Sequence, residues 1–255
     1  MKKLSLVLLA VLAISFTGCQ NWLNIDPEPE PEPEPEPDPV EESLITLTTT
    51  SATLHSGETF QIVAECESPI AYSSENEYHA MVSDSGLVTA VFVGSTMINL
   101  ESEYDTQTFE VTVEPVSDLY PEPDIEIGET KDAIIEKFGE PGAESDDAVI
   151  FEDYSENASM LMVMFDEEGL VEAYAVILDV SSAEELDTFL SERYMFIGEE
   201  EEIKIYMNGL DISTATMFIG SQIVEEEYMM AFYMANDEGG EEAVKVVKTL
   251  KSLGK

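Results

Sequence analysis

The pattern of apolar and polar positions changes period several times along the chain. Leu4 through Phe16 form an uninterrupted apolar or small-residue run, too short to span a bilayer. From Pro27 to Pro39 proline stands at every second position, with glutamate between and aspartate at Asp38. Fixed φ and missing amide donors predict an extended polyproline II segment there, neither helix nor strand. Between Ser43 and Pro115 lies a series of short alternating runs: Leu44–Leu47, Thr59–Ala64, Gly86–Val91, Thr96–Leu100 and Thr108–Val113. Their β-branched content and close spacing predict an all-β sandwich. Ser83-Asp84-Ser85-Gly86 reads as a tight hairpin in which Gly86 takes positive φ.

After Pro121 and Pro123 a helical period begins. Asp132–Phe138 places Ala133 or Ile134 on one face with Phe138, Thr130 is a candidate N-cap, and Gly139-Glu140-Pro141 stops the helix. Strand-like runs come next at Ala148–Phe151, Met160–Phe165 and Glu172–Leu178, the last two joined by Asp166-Glu167-Glu168-Gly169. The pattern then repeats. Ser181 or Ser182 caps a helix over Ala183–Tyr194, and runs at Ile203–Met207, Thr214–Ile219 and Tyr228–Met234 precede a last helix over Glu241–Leu253. A helix plus a three-stranded antiparallel unit, twice, predicts an α+β domain with one sheet and helices on one face. The expected organisation is therefore multidomain: 1–18 export signal, 19–40 anchor and spacer, 43–116 all-β sandwich, 120–255 α+β domain.

The first segment carries the clearest chemistry. Lys2 and Lys3 give a positive start, Leu4–Phe16 an apolar core, and Thr17-Gly18 the small residues of a cleavage site before Cys19. This order resembles the lipobox of bacterial lipoproteins, with Phe16 where that family usually has an aliphatic residue. The resemblance implies that the Cys19 thiol is alkylated with diacylglycerol and becomes the new N-terminus. The alternative is an ordinary secretory signal with a coincidental cysteine. An acylated Cys19 makes the membrane a partner through its lipid chains, each buried methylene contributing about 0.8 kcal/mol. At about 3.1 Å per residue, the Pro-Glu run would then hold the folded domains roughly 40 Å from the lipid surface.

Charge narrows the partners. With 55 acidic and 10 basic residues the net charge is −45, and no Lys or Arg occurs between Leu4 and Thr130. Nucleic acid is excluded as a partner, because phosphate binding depends on Lys and Arg. If Cys19 carries lipid, Cys66 has no disulfide partner in the chain, and its strand face, shared with Ile62 and Ala64, reads as apolar packing. His55 and His79, the two histidines, each stand beside a turn and read as loop residues, not metal ligands. Clustered loop acids leave Ca²⁺ as a candidate partner, although no spaced Asp-x-Asp-x-Asp-Gly loop appears. No cofactor is expected.

Particular residues carry two family resemblances. Leu54 with Gly57-Glu58-Thr59, then Tyr72-Ser73-Ser74-Glu75-Asn76, Ala80–Val91 and Gly94-Ser95-Thr96-Met97-Ile98 resemble the bacterial Ig-like group 2 domain. Tyr72 stands where an aromatic, often Trp, is usual, and Glu77-Tyr78-His79 replaces a shorter turn. The resemblance implies a β-sandwich of the kind found in surface adhesins and spacers, and no activity. Gly128–Leu178, with its helix ending in Phe138-Gly139-Glu140-Pro141 and its Phe165-Asp166-x-x-Gly169 turn, is similar to BamE/SmpA-type and β-lactamase-inhibitor-like modules. That likeness implies assembly or binding.

Nine of the 12 methionines fall between Met160 and Met234, among aromatics. The strands they occupy are apolar on both faces, so cover by helices, loops or the sandwich is expected. The sharper reading is a partner-binding face of Met160, Met162, Met164, Tyr228, Met230, Phe232 and Tyr233. With neither His nor Cys after Pro121, a His-activated nucleophile cannot be built there, and no catalytic residue is nominated. The expectation is a non-catalytic, lipid-anchored protein of the cell surface, envelope or outer membrane that binds another protein or a glycan. The alternatives are a structural subunit of an envelope assembly and an inhibitor of a secreted enzyme.

Overall fold

Alternation between Thr46 and Glu114 produces short strands, as its period requires. The computed structural model describes residues 44–200, 202–224 and 226–236. The predicted signal, Cys19, the Pro-Glu spacer and the helix over Glu241–Leu253 lie outside the described residues. The first nine strands are β1 (Thr46–Leu47), β2 (Ser51–His55), β3 (Thr59–Gln61), β4 (Ala64–Glu65), β5 (Ala71–Ser74), β6 (Ala80–Val82), β7 (Leu87–Ala90), β8 (Gly94–Glu101) and β9 (Thr106–Glu114). They form one sheet in the order β2-β9-β8-β5, another in the order β3-β7-β6, and a small pair β1-β4. β2 and β9 run parallel, and the other pairs are antiparallel. Ile98, Leu100, Phe109 and Val111 of one sheet meet Ala80 and Val88 of the other in a single core.

The run Thr59–Ala64 changes partner midway. Thr59–Gln61 pairs with β7, whereas Ala64–Glu65 pairs with β1. Ile62 is buried, and Ala64 and Cys66 are half-buried against the core. At the predicted hairpin the Gly86 amide donates to Ser83 O, the Leu87 amide donates to Ser83 Oγ, and φ of Gly86 is +77°.

The second lobe contains α1 (Lys131–Phe138), β10 (Ala143–Glu144), β11 (Ala148–Glu152), β12 (Ala158–Phe165), β13 (Val171–Asp179), α2 (Ala183–Ser191), β14 (Met195–Glu200), β15 (Ile203–Met207), β16 (Met217–Ile223) and β17 (Tyr228–Ala235). Thr130 caps α1, its hydroxyl accepting from the Ala133 amide, and the Gly139 amide closes the other end on Ile135 O. Asp166 Oδ1 accepts from the Glu168 and Leu170 amides, which fixes the β12–β13 turn with Gly169 at φ +79°.

The expected α+β domain of two helix-plus-three-strand units is not what forms. A single eight-stranded antiparallel sheet runs β10-β11-β12-β13-β17-β16-β15-β14, and the lobe is mostly β with two short helices of 8 and 9 residues. The sequence pattern misses both edge strands, for different reasons. β10 has two residues, too few for a period to show. β14 carries Gly198, Glu199 and Glu200 and is broken by a register shift at Gly198. Charge, a kink and poor alternation are what keep an edge strand from pairing with another chain. Those features also make it illegible as a strand. The two halves join through β13 and β17, from Ala173 opposite Met234 to Asp179 opposite Tyr228.

Alternation gives this sheet two apolar faces. On one, Leu161, Val163, Tyr174, Val176, Leu178, Ala231 and Tyr233 pack with Ile134 of α1 and Leu186, Phe189 and Leu190 of α2. Leu119 and Tyr120, from the segment between the lobes, are buried in the same cluster. The other face carries Ala173, Ala175, Ile203, Met207, Phe218, Met230, Phe232 and Met234, with Met162 and Met164 at its margin.

Candidate functional site

The register of β12, β13 and β17 decides where the predicted partner face goes. Met160, Met162 and Met164 stand opposite Ile177, Ala175 and Ala173, which in turn stand opposite Met230, Phe232 and Met234. Met160, Met162, Met164, Tyr228, Met230 and Phe232 therefore share one face. Tyr233 belongs to the other. Its hydroxyl hydrogen-bonds that of Tyr120 at 2.7 Å, and its ring stacks on Tyr174 with centroids 4.6 Å apart. Burial pushes the Tyr233 phenol far up. Tyr228 is exposed, the three methionines of β12 are half-buried, and Met230 and Phe232 are buried.

A second arrangement, unmarked by any sequence motif, joins the two lobes. It begins at Glu192 and Arg193, where α2 ends. Glu192 is buried, and its carboxylate accepts from the Val116 amide at 2.7 Å and the Ser117 amide at 3.0 Å. Arg193 Nη1 donates to Glu192 Oε1 at 2.6 Å and to Phe189 O at 3.1 Å, while Nη2 donates to Ser117 O at 3.1 Å. The guanidinium carbon lies 3.7 Å from the centroid of the Phe189 ring. Its Nε is 3.3 Å from Glu122 Oε2, an ion pair without a hydrogen bond. One charged pair thus fastens α2 to the strap after β9.

The first lobe is held by the same two residues from the other side. The Val93 amide donates to Glu192 O at 2.8 Å, and the Tyr78 hydroxyl donates to Arg193 O at 2.6 Å. Tyr78 is braced by Phe92, with ring centroids 4.6 Å apart. Burial and the negative charge of Glu122 push its phenol well above the ordinary tyrosine range, so it stays a proton donor. Tyr78 lies in the Glu77-Tyr78-His79 departure from the Ig-like pattern. That departure is the one signal the sequence offers of this junction.

Beside Tyr78 the lobes enclose a cleft of about 530 Å³, within the size range of small-ligand sites. One wall is Ser74–Tyr78, and the other is the β15–β16 connection at Asn208, Gly209, Leu210, Asp211 and Thr214. The second wall is locally fixed. Asn208 Oδ1 accepts from the Thr216 and Met217 amides, and Asp211 Oδ1 accepts from the Ser213 and Thr214 amides. A bond from the Ser213 hydroxyl leads the causes that hold the Asp211 carboxyl below the usual range. Gly209 lies so close to the next turn that a Cβ there would sit 2.6 Å from the Ala215 amide nitrogen. On the first wall, Glu75 Oε1 accepts from Asn99 Nδ2 at 3.4 Å, and Ser74 Oγ is buried without a hydrogen bond among the described residues.

Apart from Leu210 and Gly209 the lining is hydroxyl, amide, carboxylate and one phenol, with Glu75, Glu77 and Asp211 acidic and no cation among them. Such a surface repels anions and suits neutral or cationic polar groups. Among the described residues no three His, Cys, Asp or Glu side chains converge to hold a metal ion. His55 Nδ1 lies 3.0 Å from Glu114 O, and His79 Nδ1 lies 3.3 Å from Phe92 O. No described helix is long and apolar enough to cross a membrane.

No protein-family model matches the chain, and no curated protein sequence matches it. Among solved structures the chain is similar to domains 4 and 5 of the S-layer protein SbsC, with 23% identity over 27% of this chain and 50% of that one, at a TM-score of 0.24. It is similar to SbsC domains 5–6 with 15% identity over 77% of this chain and 84% of that one, also at 0.24. Against the longer rSbsC(31-844) the identity is 12%, over 77% of this chain and 22% of that one, at 0.25. TM-scores of this size do not mark a shared fold.

Proposed function

We propose that this chain is a lipid-anchored, non-catalytic binding protein of the cell surface, and that the cleft between its lobes receives a neutral or amino-sugar glycan. The observation that carries the reading is the cleft itself. Its walls come from lobes fastened to each other through Glu192, Arg193 and Tyr78, so a ligand meets a site already formed, without ordering cost. A polar lining without cations matches a hydroxyl-rich ligand better than an apolar or anionic one. Its carboxylates are engaged in a turn, as Asp211 is, and in a side-chain bond, as Glu75 is, or stand exposed, as Glu77 does. Cys19 and the Pro-Glu run supply attachment and distance.

The test uses a Cys19→Ser chain expressed with its own signal. The reading expects release from the membrane fraction into the medium. The released protein is titrated calorimetrically against neutral and amino-sugar oligosaccharides. Glu77→Ala and Asn76→Ala should each weaken the best ligand by about tenfold, or ~1.4 kcal/mol, while Glu168→Ala on the β12–β13 turn should not. Retention of Cys19→Ser in the membrane would overturn the anchor. Equal binding by all variants would overturn the cleft.

A further inference from the structure

β5 is an edge strand whose last residue, Ser74, lines the cleft. It pairs with β8 alone, Ala71 opposite Glu101 and Ser74 opposite Ile98. The Glu75 amide donates to Met97 O at 2.9 Å in the same register. Hydrogen-bonded and non-bonded positions alternate along an antiparallel ladder, so Ala71, Ser73 and Glu75 turn their backbone groups toward β8. The N–H and C=O of Tyr72 and Ser74 point the other way. Among the described residues those four groups meet no hydrogen-bonding partner.

We infer, resting on the glycan reading above, that the glycan taken by this cleft carries a short peptide with a free amine, and that the peptide lies along β5 as an added strand. Ser74 stays partly exposed although its Oγ is buried, so what it shows to the cleft is Cβ and main chain. Two residues farther on the edge closes. Asn76 gives its amide to Thr96 Oγ1 at 3.0 Å, and its carbonyl accepts from the His79 and Ala80 amides. The open stretch is therefore two outward positions about 7 Å apart. That length seats a peptide of three or four residues and is too short to hold a long strand of a folded partner.

Charge selects the kind of peptide. Glu75 is exposed just past the open positions, and Glu77 and Asp211 stand exposed on the two opposing walls. An ammonium group on the peptide meets carboxylates from both lobes, whereas an acidic peptide is repelled. Leu210, half-buried on the second wall, offers an apolar contact to a side chain that leans across. Main-chain pairing supplies affinity whatever the peptide's other side chains, as exposed strand edges do when they capture extended peptides. A second copy of this chain suits the edge less, because two chains of net charge −45 repel each other.

The released Cys19→Ser chain is titrated calorimetrically with an amino-sugar oligosaccharide and with the same sugar bearing a tetrapeptide that ends in lysine. The tetrapeptide should tighten binding about tenfold, and glutamate in place of its lysine should remove that gain. Conjugates N-methylated at one amide at a time give the sharper reading. Methylation should abolish the gain at one amide and spare it at the next, because alternate N–H groups face the edge. Ser74→Pro removes an N–H that bonds nothing among the described residues, a change edge strands tolerate, and should erase the difference between the two sugars. The methylated conjugates decide the matter even where that variant fails to fold. Equal affinity for the bare and the peptide-bearing sugar overturns the inference and leaves the glycan reading standing. A gain that methylation lowers equally at every amide, or at none, overturns the added strand, and a gain that survives the glutamate overturns the amine. A conjugate that binds with the alternating pattern while the bare sugar does not bind keeps the strand and overturns the glycan reading. Binding by neither overturns both.

Discussion

Glu192 shows how much one side chain can decide. Its side chain is 7% exposed and that of Arg193 is 9% exposed, so both charges have left water and each depends on the other. The carboxylate also satisfies two strap amides that have no strand partner, at Val116 and Ser117. Glu192→Ala removes the pair and leaves the guanidinium buried with only carbonyls and Glu122 for company. The expected cost is about 3–5 kcal/mol, read as a lower midpoint in urea unfolding. The double variant Glu192→Ala with Arg193→Met should recover part of that loss, because no orphaned charge remains. A double variant as unstable as the two single costs added together would show that the pair acts through other contacts. The sequence pattern marks neither residue, since a Glu-Arg dipeptide after a helix looks like any solvated helix end. Nothing local says that a strap from 75 residues earlier returns to it.

The elements are legible in proportion to their own regularity. Strands β11, β12, β13, β15 and β17 announce themselves by β-branched, Met and aromatic alternation, and α1 by its Thr130 cap and glycine stop. β10, β14 and the end of β16, Gly220–Ile223, do not. β10 and β14 pair with the next strand along the chain, as Gly198 does with Ile205, but through backbone ladders that leave no apolar period; the end of β16 is set by Lys204 opposite Ser221. Pairing of β13 with β17, which makes one sheet of two halves, is a long-range fact with no local signature. The cleft is illegible for the same reason, because its two walls come from opposite ends of the described chain. Gly220 offers a test at this scale. Its missing side chain is occupied by the Phe232 ring, so Gly220→Val must expel that ring and lose its burial. We expect a loss of about 3–5 kcal/mol from overpacking and the displaced aromatic together. Gly128→Ala, at φ +89° but in open space, should cost only the left-handed backbone term of about 1–2 kcal/mol. Equal losses at the two sites, measured by denaturant unfolding, would refute the close approach.

At the scale of the whole molecule, two electrostatic effects of opposite sign meet. A net charge of −45 makes the compact state repel itself, and salt relieves this because the Debye length shrinks from about 30 Å at 0.01 M to about 10 Å at 0.1 M. Thermal midpoints at pH 7 should therefore rise with sodium chloride over that range, by several degrees, on the order of 1–2 kcal/mol for a chain of this size. Acid acts twice. Protonating carboxylates first lowers the self-repulsion, so stability should not fall between pH 7 and about 5. Below that the individual bonds decide. Asp105 is held low by the Ile45 amide, Glu129 by Lys137, Asp147 by the Ser145 hydroxyl, Asp179 by Ser181, and Asp211 by Ser213. Each has a folded value beneath its unfolded one, so its contribution is complete above the unfolded value near pH 4 and is lost as pH falls through the lower folded value. Stability should then drop steeply below about pH 4, while the salt effect shrinks as the net charge is titrated away. A thermal midpoint that falls with salt at pH 7, or that declines steadily from pH 7 to 5, would mean that local ion pairs such as Lys137–Glu129 and Lys204–Asp187 outweigh the global field. The few cations would then govern the stability of a surface dominated by acids.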